Sequence, residues 1–88
     1  YRAAKSAQNQ FFKSLSIEWS RRFPKAIITL LHPGTVDTHL SRPFQKFVPE
    51  HKLFSTEKSS QFLINIIKNQ SPSATGKFIA WDGSEIPW

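Results

Sequence analysis

The chain has no cysteine and no methionine, and only three glycines and six acidic residues among its 88. Without thiols there is no disulfide framework, no cysteine-held iron–sulfur cluster and no thiolate zinc site. The shortage of acid leaves twelve Lys+Arg against six Asp+Glu, a net charge of +6. Such an excess suits an anionic partner: nucleic acid, a membrane surface or a phosphorylated ligand. The basic residues are scattered, however, and Arg21-Arg22 is their one adjacent pair. No nucleic-acid-binding motif is present. A solvated surface is the simpler account, and nucleic acid is not an expected partner. Long apolar runs are missing too. The longest, Phe78-Ile79-Ala80-Trp81, is far below the roughly 20 residues that span a bilayer, so no membrane partner is expected. The opening Tyr1-Arg2-Ala3-Ala4-Lys5 is not a charged-then-apolar leader. With no initiating methionine, the expectation is a piece of a longer, cytoplasmic gene product.

The content that remains argues for folding. Apolar residues make up 39% and aromatics 14%, enough for one small domain with a modest core. Residues 1–22 read as a helix. At 100° per residue, Ala4, Ala7, Phe11, Phe12, Leu15 and Trp19 share an arc about 140° wide. Gln8, Glu18 and Arg22 interrupt that arc, and Ile17 lies outside it. Phe23 precedes Pro24 and is pushed out of helical conformation, which ends the element. Residues 26–31, Ala-Ile-Ile-Thr-Leu-Leu, lie between Pro24 and Pro33-Gly34. Their run without alternation suits a strand buried on both faces, as in a parallel sheet.

Residues 35–55 hold Pro43, Pro49, Phe44, Phe47 and Phe54 without a clear period. They read as a long loop with one helical turn, and loops of this length are usually functional. Residues 56–69 form a second helix, capped by Ser55 or Thr56, with Glu57 at its positive end and Phe62, Leu63, Ile66 and Ile67 as the buried stripe. Residues 77–81 form a second strand, closed by Asp82-Gly83. The order is helix, strand, loop, helix, strand. It defines an α/β chain with two parallel strands joined by a right-handed crossover, one of which has an edge that wants a neighbour.

Few residues offer chemistry. Tyr1 and Lys5 are one helical turn apart. A free phenol is a poor acid or base at neutral pH, but an adjacent ammonium favours its phenolate and eases proton transfer to an alcohol or carbonyl oxygen. An ordinary surface pair has the same spacing. Pro33-Gly34 ends the first strand at its carboxyl end, where open α/β sheets bind ligands, and Gly34 permits close approach to the backbone. Thr35, Val36 and Thr38 add backbone donors and hydroxyls, although a plain strand-ending turn accounts for the same residues. His32, His39 and His51 match no ligand spacing, and no metal is expected. Phe44, Phe47 and Phe54 either line an apolar pocket or form core beneath the loop. Trp81 and Trp88 are read as packing residues.

In combination these residues are more specific. Tyr1-Arg2-Ala3-Ala4-Lys5 resembles the Tyr-x-x-x-Lys motif of the short-chain dehydrogenase/reductase family. His32-Pro33-Gly34-Thr35-Val36-Asp37-Thr38 is similar to that family's Pro-Gly segment, and Gly76-Lys77-Phe78-Ile79-Ala80-Trp81-Asp82-Gly83 is similar to its closing strand. The resemblance covers essentially the whole chain and is closest to C-factor-type proteins and small carbonyl reductases. It implies the C-terminal part of a Rossmann-type, NAD(P)-binding domain over residues 1–88. It implies Tyr1 as acid/base, Lys5 as its activator and ribose ligand, and Pro33, Gly34, Thr35, Val36 and Thr38 around a nicotinamide cofactor, NAD or NADP. Residues 39–54 would be the substrate-binding loop for a small carbonyl or alcohol. The first helix would pack in a homo-oligomer.

The family's glycine-rich pyrophosphate loop, its NAD/NADP selector and its upstream serine and asparagine have no counterpart here. The resemblance therefore implies that the isolated chain is inactive. The alternative is an association module that dimerises or complements a missing half.

Overall fold

A computed structural model describes all of residues 1–88. Helix α1 (Arg2–Arg22) is followed by strands β1 (Leu30–His32) and β2 (Thr35–Val36), strand β3 (Leu53–Phe54), helix α2 (Thr56–Lys68) and strand β4 (Phe78–Ala80). Short 3₁₀ turns cover Arg42–Phe47, Glu50–Lys52 and Pro72–Ala74. The strands form two parallel pairs, β1 with β4 and β2 with β3. The α/β reading and the parallel crossover hold. The number of strands does not: the presumed loop 35–55 contains a second parallel pair, with Thr35 opposite Leu53 and Val36 opposite Phe54. Two-residue strands are too short to leave a periodic trace in sequence.

The first strand is also shorter than the apolar run that suggested it. Residues 26–29 run alongside the chain before β4 without joining the ladder. Ile28 N–H donates to the Thr75 hydroxyl, and Gly76 N–H donates to the Ile28 carbonyl. Gly76 has φ +80°, which breaks strand geometry, so regular pairing begins only at Leu30 opposite Phe78. After β4 the chain bends at Gly83 (φ +87°) and folds back, pairing Glu85 antiparallel with Ile79. One edge of β4 is thereby covered, while the outer edge of β1 has no partner strand.

Helix α1 ends at Phe23 before Pro24, and Arg21 and Arg22 in its last turn complement the helix dipole. It grips the sheet through polar groups. Lys13 Nζ donates to the Gly76 carbonyl at 2.9 Å. Ser16 is buried, and its hydroxyl lies 3.0 Å from where a Cβ on Gly76 would stand. The sequence-based expectation placed the Ala4–Phe11–Trp19 row inward. Instead Ala4 and Ala7 are exposed, and Phe11 and Trp19 keep 63% and 42% of their surface. The residues that pack are Asn9, Phe12, Lys13, Leu15 and Ser16, of which only Phe12 and Leu15 belong to the expected arc.

Helix α2 begins where the capping residues indicate, with Ser55 Oγ accepting from Lys58 N–H at 3.1 Å. Phe62, Leu63 and Ile66 are half-buried, but Ile67 is 58% exposed and does not belong to the inward stripe. The centre of the core is a three-ring cluster. Phe54 lies 5.3 Å from Phe62 and 4.6 Å from Trp81, and Phe62 lies 5.3 Å from Trp81. Phe54 and Ile79 are the only buried large apolar residues, and Ile79 still keeps 9% of its surface. Phe44 and Phe47 point away from this core, so of the three loop phenylalanines only Phe54 packs. Trp88 rests on Phe78 with ring centres 5.8 Å apart. The radius of gyration, 14.5 Å, exceeds the roughly 12 Å of a compact domain this long, in keeping with a sheet covered on few sides.

Candidate active site

Four of the residues singled out in sequence, Tyr1, Lys5, Pro33 and Gly34, come from the first turn of α1 and the bend after β1. They meet at a cleft of about 680 Å³. Tyr1, which caps α1, with Lys5, Gln8, Asn9 and Phe12 of α1 forms one wall, and Ile28 to Gly34 with Phe78 form the other. The Pro33-Gly34 bend therefore lies beside Tyr1 and Lys5 rather than remote from them. The cleft sits at the carboxyl end of β1, where strand carbonyls and loop N–H groups face a ligand in open α/β sheets.

Tyr1 is 90% exposed. The Lys5 ammonium lies 5.9 Å from its ring centre and makes one long hydrogen bond, 3.5 Å to Gln8 Oε1. Its remaining N–H donors are free for an oxygen-rich ligand. Both groups face water, which screens their mutual field. Strong coupling between ammonium and phenol needs the cleft closed over them.

Gly34 bends the chain with φ +76°, and its N–H donates to His32 Nδ1 at 2.9 Å. This bond leaves Nε2 of the imidazole as the proton-bearing nitrogen when the ring is neutral. A Cβ on Gly34 would come within 2.7 Å of Phe54 Cε2 and 3.0 Å of Trp81 Cδ1. The glycine thus joins the cleft to the core: a positive φ on one side, direct packing against aromatic rings on the other.

Thr35, Val36 and Thr38 follow the bend but do not line the cleft. Thr35 and Val36 are held by β3, and Asp37 N–H donates to the Phe54 carbonyl at 2.7 Å. The Val36 carbonyl accepts the Ser41 hydroxyl. Ser41 also exchanges hydrogen bonds with Thr38 (Thr38 N–H to Ser41 Oγ 3.3 Å, Ser41 N–H to Thr38 Oγ1 3.4 Å) and accepts from Gln45 Nε2 at 3.1 Å. Ser41 therefore ties the start of the 39–54 segment to β2, a role the sequence reading did not give it. Gln8 and Asn9 were also missed as wall residues. The signal was present: Tyr1, Lys5, Gln8, Asn9 and Phe12 fall within about 100° of a helical wheel. Gln8, which interrupted the apolar arc, belongs to this second face.

No family model matches the chain. C-signal of Myxococcus xanthus is 29% identical over 89 aligned residues, a match covering 100% of this chain and 48% of that protein. The 1-hydroxy-2-glutathionyl-2-methyl-3-butene dehydrogenase of Rhodococcus sp. (strain AD45) is 32% identical over 88 residues, covering 100% of this chain and 37% of that protein. The chain spans less than half the length of these two curated relatives. Two solved structures superpose on the entire chain. The NADPH-bound carbonyl reductase from chicken fatty liver has a TM-score of 0.81 at 23% identity, with 32% of that chain covered. The carbonyl reductase Sniffer of D. melanogaster also has a TM-score of 0.81, at 26% identity and 32% coverage. The resemblance to short-chain dehydrogenases/reductases therefore holds along the whole chain, and the fold is a portion of their Rossmann-type α/β architecture.

Proposed function

We propose that the chain carries the proton-transfer and nicotinamide-facing part of an NAD(P)-dependent oxidoreductase acting on a small carbonyl or alcohol. The observation that carries this reading is the cleft at the end of β1, which brings Tyr1 and Lys5 of α1 together with Pro33 and Gly34. The donor set fits a nicotinamide nucleotide. Lys5 has unused N–H donors for ribose hydroxyls, and the bend at Gly34 exposes backbone at the cleft's rim. Bound there, the cofactor would supply the reducing or oxidising equivalent, NAD or NADP alike.

The chain's own residues handle the proton. The Tyr1 hydroxyl donates its proton to the substrate oxygen in the reducing direction, its phenolate takes the alcohol proton in the oxidising one, and the Lys5 ammonium stabilises that phenolate. Thr35, Val36 and Thr38 extend the cofactor surface beyond the bend, where the Ser41 hydroxyl occupies one lone pair of the Val36 carbonyl. Residues 39–54 would border the substrate. The cleft is open on the side of Tyr1, so this reading expects binding by the 88-residue chain to be weak and turnover absent. A cytoplasmic setting accords with such chemistry.

Two-dimensional NMR of the labelled chain, titrated with reduced nicotinamide mononucleotide and separately with 5′-AMP, tests it. The expected result is shift changes confined to Lys5, Gln8 and the His32–Val36 segment with the mononucleotide, and smaller ones with AMP. No changes at these residues at millimolar mononucleotide would refute the assignment. Tight NAD(P)H binding would refute the expectation of weakness.

A second reading is favoured by the open β1 edge and by the exposed Phe11 and Trp19 on α1. In it the chain is an association module that dimerises through α1 or complements the rest of such an enzyme. Light scattering that shows a monomer at high concentration, with no binding to a supplied N-terminal half, would remove it.

A further inference from the structure

Residues 39–52, proposed above to border the substrate, form a lobe that also presents apolar and basic side chains to solvent. Its centre is the 3₁₀ turn Arg42–Phe47. At three residues per turn, positions i and i+3 eclipse, giving three rows of side chains. In one row, Gln45 and Val48 lean on the body while Arg42, at its start, is exposed. Gln45 Nε2 donates to Asp37 Oδ1 at 2.9 Å and to Ser41, and Gln45 and Val48 are half-buried. The other two rows, Pro43 with Lys46 and Phe44 with Phe47, are exposed. Phe44 retains 64% of its surface, Phe47 77% and the preceding Leu40 81%.

Charge accompanies this apolar tip. Arg42, Lys46 and Lys52 are exposed cations, His39 and His51 in the same segment are exposed too, and Glu50 is the one acid between 39 and 52. Lys46 Nζ lies 5.0 Å from the Phe47 ring centre, so ring and ammonium present together. Asp37, the nearest acid before the lobe in sequence, is engaged by Gln45.

We propose that this lobe docks on an anionic lipid surface, inserting Phe44, Phe47 and Leu40 into the headgroup boundary while Arg42, Lys46 and Lys52 meet lipid phosphates and carboxylates. Apolar side chains flanked by cations are the composition that binds bilayer interfaces without spanning them. A nucleic-acid partner fits less well. Leu40 cannot stack on bases, and the cations do not form a stripe that tracks a phosphate backbone. The expectation that no membrane is a partner rested on short apolar runs, which bear on spanning and not on surface attachment.

The test is co-sedimentation of the full chain with phosphatidylcholine vesicles, with and without about one-third phosphatidylserine. Binding to the anionic vesicles, weakened by salt, is expected, with little to the neutral ones. Phe44→Ser/Phe47→Ser should lower partitioning at least about tenfold, and Arg42→Gln or Lys46→Gln about fivefold each. Because the double variant is open to misfolding, the conservative Phe47→Trp variant supplies a second readout. Brominated lipids should quench its added indole beyond the quenching seen in the parent chain. Equal binding to neutral vesicles, parent-like binding by the folded double variant, no added quenching, or binding to single-stranded oligonucleotide but not to vesicles would each overturn the proposal.

Discussion

Gly34→Ala places a methyl group where a left-handed bend and two aromatic rings already compete for space. The backbone term comes from φ +76°, a conformation that costs an L-residue roughly 1–2 kcal/mol. The packing term comes from the Cβ position, 2.7 Å from Phe54 Cε2 and 3.0 Å from Trp81 Cδ1. Neither ring can swing aside freely, since Phe54 and Trp81 stand 4.6 Å apart and each touches Phe62. Overpacking of this kind costs about 1–3 kcal/mol. The sum is roughly 2–5 kcal/mol, a large share of the ~4–13 kcal/mol available to a chain this long. Gly83→Ala is the control, because Gly83 has φ +87° with no atom near its Cβ position, and it should lose only the backbone term. Urea unfolding followed by tryptophan fluorescence measures both variants. Gly34→Ala is expected to be less stable than Gly83→Ala by about 1–3 kcal/mol. Equal losses would show that the rings yield at no cost and that Gly34 does not lock the cleft to the core.

Two further substitutions probe single interactions. Ser55→Ala removes the hydroxyl that accepts from Lys58 N–H at the start of α2 and should cost about 1 kcal/mol in the same urea assay; no loss would mean that solvent caps the helix equally well. Asp82 accepts from the Ser84 hydroxyl at 2.6 Å and from Ser84 N–H at 3.0 Å, and these bonds hold its carboxyl below the ordinary aspartate value. A depressed folded value stabilises the protein above the unfolded-state value, and that contribution is lost as pH falls through the folded one. Asp82→Asn should therefore narrow the gap in urea midpoint between neutral and acidic solution, and an unchanged gap would contradict the assignment.

Local physics made much of this fold readable in sequence. Proline placement ended α1 at Phe23, Ser55 and Glu57 marked the start of α2, and the apolar run before Pro33-Gly34 located the first strand. What escaped had specific causes. The β2–β3 pair is two residues long on each side, below any detectable alternation. Gly76, read only as part of a motif, turned out to delay the β1–β4 ladder and to receive α1 through Lys13 and Ser16. The candidate site was legible where it depended on helical spacing, Tyr1 with Lys5, and on the strand-end bend, which share one cleft. The position of Ser41 across the Val36 carbonyl was not, because that contact exists only once β3 fixes the root of the lobe.

Helix α1 shows why one amphipathic pattern can mislead. Measured from Tyr1 at 100° per residue, the cleft and sheet contacts from Gln8 to Lys13 and Ser16 occupy about −20° to +120°. The exposed row Ala7, Phe11, Ala4 and Trp19 occupies about −120° to 0°, with half-buried Leu15 inside it. An apolar stripe is ordinarily assigned to the core, and here that assignment turns the helix by about a third of a revolution. What overrules it is polar: an ammonium bonded to a strand-end carbonyl and a serine packed on a glycine that has no Cβ to repel it. Those two contacts set the rotation of α1, and that rotation aims Tyr1 and Lys5 at the end of β1. The Tyr1–Lys5 pair is thus positioned by Lys13 and Ser16, which lie about two and three turns beyond Lys5 on the same helix.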